Sequence, residues 1–146
     1  MSHSRIMVLE DNIECELNDL DLDEIYEEMQ SYGNGVDYVQ LSPSTFESDY
    51  EWVMNYLSAL GFEKTKDEKG FKIQNSDDFW FDMEKDIKEY LEMGIKENRW
   101  KLEDRASMKR GFWIYYEGIL YTLPYFMEQA KDGEEFKIKG FLDYHS

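Results

Sequence analysis

Between Ile6 and Glu63 the chain carries fifteen carboxylates and not one lysine or arginine. Ten of those acids fall between Glu10 and Glu28. With no base nearby in the chain, they read as water-facing residues, and the apolar residues interleaved with them mark the inner faces. From Lys64 onward eighteen acids meet fifteen bases, so that part carries only −3 of the net −17. Nearly all the net charge sits in the first 63 residues. Such an asymmetry repels nucleic acid and acidic lipid and attracts basic proteins at long range.

A disordered acidic tail is excluded, because 42% of the residues are hydrophobic and 16% aromatic. Four Trp, nine Phe and eleven Tyr need a core. A length of 146 residues suits one domain over 1–146, with an acidic base-free part at 6–63 and a mixed-charge, aromatic-rich part at 64–146. Cys15 is the only cysteine, so no internal disulfide forms and a reducing compartment is expected. No basic n-region followed by an apolar h-region opens the chain. No apolar run approaches the roughly 18 residues that span a bilayer. A cytoplasmic location follows as the expectation, in the host cytosol for a phage-encoded protein.

Arg5–Leu9 reads as a strand. Ile13, Cys15 and Leu17 alternate with Glu14 and Glu16, so an N-terminal hairpin is expected. Asp21 is placed to cap a helix from Leu22 to about Ser31, with Glu24 as capping-box partner and Leu22, Ile25, Tyr26 and Met29 inward. Val36–Leu41 reads as a strand. Phe46, Tyr50, Val53, Tyr56, Leu57 and Leu60 recur at helical spacing, stopped by Gly61. Glu47, Asp49 and Glu51 suit the positive end of that helix dipole. Phe62–Lys66 and Phe71–Gln74 form a hairpin. Ser76-Asp77-Asp78 opens a helix running to about Asn98, with Glu84–Lys88 and Glu92–Lys96 as surface pairs. The stretch from Trp100 to Arg110 is polar and comparatively basic. Gly111–Ala130 supports either strand or helix. The preferred reading is an aromatic strand, then a helix capped by Thr122 with Pro124 in its first turn. Glu135–Gly140 is a last strand. The class is α+β: a small, mostly antiparallel sheet with hairpins, packed against three to four helices.

Catalytic chemistry finds little support. The two histidines, His3 and His145, lie at the ends of the chain, which argues against a Ser–His or Cys–His engine. Walker A, G-x-S-x-G and dinucleotide-binding fingerprints are absent from the sequence. Asp19, Asp21 and Asp23 resemble the start of a calcium loop, but Glu24 replaces the required glycine and Gln30 the bidentate glutamate. One cysteine and two histidines cannot make the usual zinc set. The chain is read as a non-enzyme without cofactor or metal.

What remains is the acidic surface. Alternate strand residues lie about 6.6 Å apart and helix pairs at i, i+3 or i+4 about 5–6 Å. Phosphates along a nucleic-acid strand are separated by roughly 6–7 Å. Glu14, Glu16, Asp19, Asp21, Asp23, Glu24, Glu27 and Glu28 are therefore the expected partner-binding residues. In size, charge and lack of catalytic motifs the chain resembles, in kind rather than in sequence, the DNA-mimic anti-restriction and anti-CRISPR proteins of phages and mobile elements. The resemblance implies a non-catalytic inhibitor of a Cas or restriction nuclease, with no direct contact to nucleic acid or membrane. An immunity protein neutralising a cognate nuclease toxin predicts similar electrostatics. An interaction or assembly module is the third reading, its acidic half meeting Lys96–Arg110 of a second copy in a homodimer. The aromatic residues near Trp100 and at Phe112–Tyr116 are expected in the core, any exposed one serving as an apolar anchor.

Overall fold

The computed structural model describes residues 3–11, 15–32 and 35–146. Seven strands form one open sheet: β1 (His3–Leu9), β2 (Tyr38–Leu41), β3 (Phe62–Lys64), β4 (Gly70–Ile73), β5 (Trp113–Tyr116), β6 (Ile119–Thr122) and β7 (Glu135–His145). The order is β3-β4-β7-β1-β5-β6, with β2 also paired to β7. Only β1 and β5 run parallel; every other pairing is antiparallel. Five helices accompany them among the described residues: α1 (Leu22–Ser31), α2 (Phe46–Leu57), α3 (Ser76–Glu92), α4 (Arg99–Arg110) and α5 (Leu123–Gln129). The fold is α+β, as the sequence indicates, with one helix more than expected.

Strand alternation sorts the core into two clusters. Met7, Leu9, Ile114, Tyr121 and Phe141 point to one side of the sheet, where residues of α2, α3, α4 and α5 cover them. Ile6, Val8, Trp113, Leu120, Leu142 and Tyr144 belong to the other cluster, together with Ile25 and Met29 of α1. Among the described residues, the acidic helix α1 is thus the helix that contributes most to the cover of this face.

Its local chemistry explains its bounds. The Asp21 side chain accepts from the Glu24 backbone N–H at 3.1 Å, closing the first turn. Ile25 and Met29 are fully buried, and Leu22 and Tyr26 pack partly buried beside them. Thr45 caps α2 and Thr122 caps α5, with Pro124 in the first turn of α5. The segment at 111–130 is therefore strand, turn, strand, then helix.

Three expectations are corrected. β1 lies between β7 and β5, and Cys15 and Glu16 are in no strand, Leu17–Asp19 forming a 3-10 turn. The expected hairpin partner is replaced by long-range pairing of β1 to β5 and to the C-terminal strand β7. The helix expected to reach Asn98 stops at Glu92, because Gly94 takes a left-handed conformation at φ 87°. The basic stretch at 99–110 is itself a helix, α4, and the last strand continues past Gly140 to His145. Gly33 and Asn34, read as the stop of α1, lie outside the described residues.

Candidate functional site

Seven of the eight expected binding residues are described. Glu16, Asp19, Asp21, Asp23, Glu24, Glu27 and Glu28 are all exposed; Glu14 lies outside the described residues. Glu16 and Asp19 bracket the 3-10 turn and Asp21 caps α1. At 3.6 residues per turn, Asp23, Glu24, Glu27 and Glu28 occupy the arc opposite Ile25 and Met29. Since the described residues 15–21 contain no strand, phosphate-like spacing applies there to the helix alone, where i, i+3 and i, i+4 neighbours lie about 5–6 Å apart.

These acids differ in how far the fold itself accounts for them. Asp21 is a cap, and Asp23 and Glu24 complement the positive end of the helix dipole. Glu27 and Glu28 lie toward the negative end, where an acid is disfavoured, and the last turn contains no base. Burial and then the neighbouring Glu24 carboxylate push the Glu28 pKa up. Burial, followed by the fields of Glu24 and Glu28, raises the Tyr115 phenol. For Tyr32, burial comes first, then Asp104 and Glu28. The acids of α1 thus share a field with Asp104 of α4.

The mixed-charge part neutralises itself. Arg110 pairs with Asp82 and, at 2.7 Å, with Asp86 of α3. Lys109 lies 3.9 Å from Asp86. Arg99 pairs with Glu84 and, at 3.6 Å, with Glu103, and Arg105 pairs with Glu97. Glu84 therefore meets Arg99, and among the described residues neither the Glu84–Lys88 nor the Glu92–Lys96 pair expected from helical spacing is formed. Among the described residues, no ion pair involves Glu16, Asp19, Asp21, Asp23, Glu24, Glu27 or Glu28. Lys139 reaches this region, but it donates to the Cys15 carbonyl oxygen.

Arg5 precedes the base-free stretch and is turned inward. Its Nε donates to Asp49 at 2.7 Å and its Nη1 to Asp143 at 2.7 Å. Ser42 donates to Asp49 at 2.5 Å and Gln40 to Asp143 at 2.9 Å. Asp49 is only 2% exposed, so its place early in α2 is an ion pair rather than a surface dipole effect. The two histidines stand beside this network. His3 Nδ1 is 3.2 Å from Asp143, His145 Nδ1 is 2.7 Å from Asp37, and the two rings are 4.7 Å apart. Among the described residues neither ring is hydrogen-bonded to a serine or cysteine, and no group of three His, Cys, Asp or Glu is arranged to hold a metal ion.

One aromatic expected in the core is outside it. Trp100 is 59% exposed, whereas Phe112, Trp113 and Ile114 are buried. Trp100 lines a groove of about 590 Å³ with Ser31, Tyr32, Glu97, Lys101, Asp104, Arg105 and Met108. The groove joins the C-terminal end of α1 to α4, so it adjoins the acidic row. Its aromatic and carboxylate lining comes from residues some 70 positions apart (Tyr32 and Asp104), a proximity that no local pattern could signal. No helix among the described residues is long and apolar enough to cross a membrane. No family model matches the chain, and no curated protein or solved structure matches it.

Proposed function

We propose that this protein is a non-catalytic inhibitor that binds the basic nucleic-acid-binding surface of a nuclease and acts there as a DNA mimic. The contact surface is the exposed acidic face at Glu16, Asp19, Asp21, Asp23, Glu24, Glu27 and Glu28. Counter-defence against a Cas or restriction nuclease, in the cytoplasm of the cell that holds that nuclease, is the setting this chemistry suits.

The supporting observation is the division of ion pairs. Arg99, Arg105, Lys109 and Arg110 are engaged by acids of their own half, and Arg5 is buried between Asp49 and Asp143. The acids of α1 have no such partner among the described residues. Their counter-charge comes from outside the molecule. The same pairing weighs against self-assembly through Lys96–Arg110, since most of those bases already have carboxylates. Helix spacing of about 5–6 Å between exposed acids approaches the separation of successive phosphates, roughly 6–7 Å.

The test compares the tagged full chain with a D23K/E24K/E27K/E28K variant as bait in host lysate. The wild type is expected to retain a basic nuclease at about 50 mM salt, to lose it near 300 mM as screening shortens the electrostatic reach, and to release it to added DNA. The variant, with an unchanged circular dichroism spectrum, retains none. Equal retention by the variant, or a captured partner that DNA does not displace, overturns the reading.

A further inference from the structure

The groove beside Trp100 gives the acidic face a place to hold a side chain as well as a field to attract one. Resting on the function proposed above, we propose that the groove between the C-terminal end of α1 and α4 receives an arginine side chain of the basic partner, its guanidinium over Trp100 and facing Asp104 and Tyr32.

The walls suit that group. Tyr32 is held in place by an edge-on contact with buried Trp113, the ring centroids 5.0 Å apart. Trp100 presents its indole to solvent, and the Lys101 ammonium already lies 5.4 Å from its centroid, which establishes that this ring accommodates a cation. Lys101 is an exposed, flexible side chain that can swing aside. Partly buried Met108 supplies an apolar surface for the methylene stem of the incoming residue.

The charges are complementary too. Arg105 and Glu97 neutralise each other, and Arg105 is drawn toward the Tyr90 ring, 6.0 Å away. That leaves Lys101 against Asp104, and the Glu28 charge also acts on Tyr32. Among the described residues Asp104 has no ion pair. Burial, then repulsion from Glu128, raises its pKa. An arriving cation relieves that repulsion. A planar guanidinium stacks flat on the indole while its fork of donors reaches the carboxylate, whereas a compact ammonium makes only a point contact with one or the other, so arginine is favoured over lysine.

Titrating the full chain with hexa-arginine and with hexa-lysine at matched ionic strength separates the groove from the surrounding field. The expected result is about fivefold tighter binding of hexa-arginine, with the preference abolished in Trp100→Ala and again in Asp104→Asn. In both variants hexa-arginine loses more affinity than hexa-lysine, so that the two peptides bind alike. Equal affinity for the two peptides in the wild type, lost together in D23K/E24K/E27K/E28K but unchanged in Trp100→Ala, overturns the groove and leaves the acidic face standing. Binding that depends on neither Trp100 nor the acids of α1 overturns both.

Discussion

Replacing Arg5 by methionine should destabilise the fold more than any surface charge change. The guanidinium is shared by Asp49 and Asp143, at 2.7 Å from each, and both carboxylate side chains are nearly sealed from solvent. Removing one partner of a buried pair costs about 3–5 kcal/mol. Two carboxylates lose their common cation here, so the upper end, about 5 kcal/mol, is the estimate. A domain of this size holds roughly 5–15 kcal/mol in total, and the melting temperature should fall by about 10–20 °C. Urea titration followed by circular dichroism at pH 7 reads the loss. The decisive comparison is R5M/D49L/D143L, which replaces all three buried charges by apolar side chains of similar volume. Because desolvation nearly cancels attraction in buried ion sets, that triple variant should lie within about 2 kcal/mol of the wild type. If R5M costs less than about 1 kcal/mol, or the triple variant falls as far as R5M, Arg5 does not hold these carboxylates in the way described.

Gly61→Ala should cost more than about 2 kcal/mol by urea unfolding, because φ is +87° and a Cβ would sit 2.0 Å from the Asn75 carbonyl oxygen; Gly133→Ala, with a similar φ of +92° and open space around it, should cost only about 1 kcal/mol, and equal losses would refute the clash. Burial raises the carboxyl pKa of Glu28, Glu103 and Asp104, helped by Glu24 at Glu28 and by Glu128 at the other two. The folded chain therefore binds their protons more tightly than the unfolded chain does, and stability falls as pH rises through the window above the ordinary carboxyl range. Lowering the pH from 7 to about 5 should raise the urea midpoint, and E28Q/E103Q/D104N should flatten the rise; a midpoint that drops steadily over that interval would contradict the assignment. Glu28→Lys alone should raise stability by a few tenths of a kcal/mol in urea unfolding, since the repelling i, i+4 pair with Glu24 becomes an attracting one and positive charge is placed near the C-terminal end of α1, while binding to the partner is weakened.

Much of the fold was legible because it is locally encoded. Asp21 with Glu24, Thr122 with Pro124, and the apolar stripe from Phe46 to Leu57 each state their element within a few residues. The β3–β4 hairpin did so as well. α4 was missed because its inward face is little more than Leu102 and Ala106. Its docking depends on ion pairs to α3 that form only after folding. The N-terminal hairpin failed for a related reason. β1 pairs with β7 at the opposite end of the chain and, in parallel, with β5, and alternation at 13–17 carries no information about either. At the candidate surface, exposure of the acids followed from charge alone. The Trp100 groove did not, because an aromatic residue is ordinarily core and the neighbouring Tyr32 is distant in sequence. Nor could composition tell that Arg5 would be withdrawn from the surface by Asp143, 138 positions away.

The energetics of α1 connect its charge to its independence from the core. A ten-residue helix is marginal by itself. Its acids at i, i+4, Asp23 with Glu27 and Glu24 with Glu28, each detract by roughly 0.2–0.5 kcal/mol. Against this, fully burying Ile25 and Met29 contributes about 1.5–3 kcal/mol each, and the Asp21 cap adds about 1 kcal/mol. Burial wins by several-fold, so the helix stays docked whatever charge its outer arc carries. The outer arc is therefore free to be selected for something other than folding. Glu27 and Glu28 are the clearest case, since they stand at the end of the helix where dipole, neighbours and lack of a base all disfavour an acid. An acidic surface set against three local terms, on a helix whose inner face is indifferent to it, fits the proposal that its counter-charge is a basic partner.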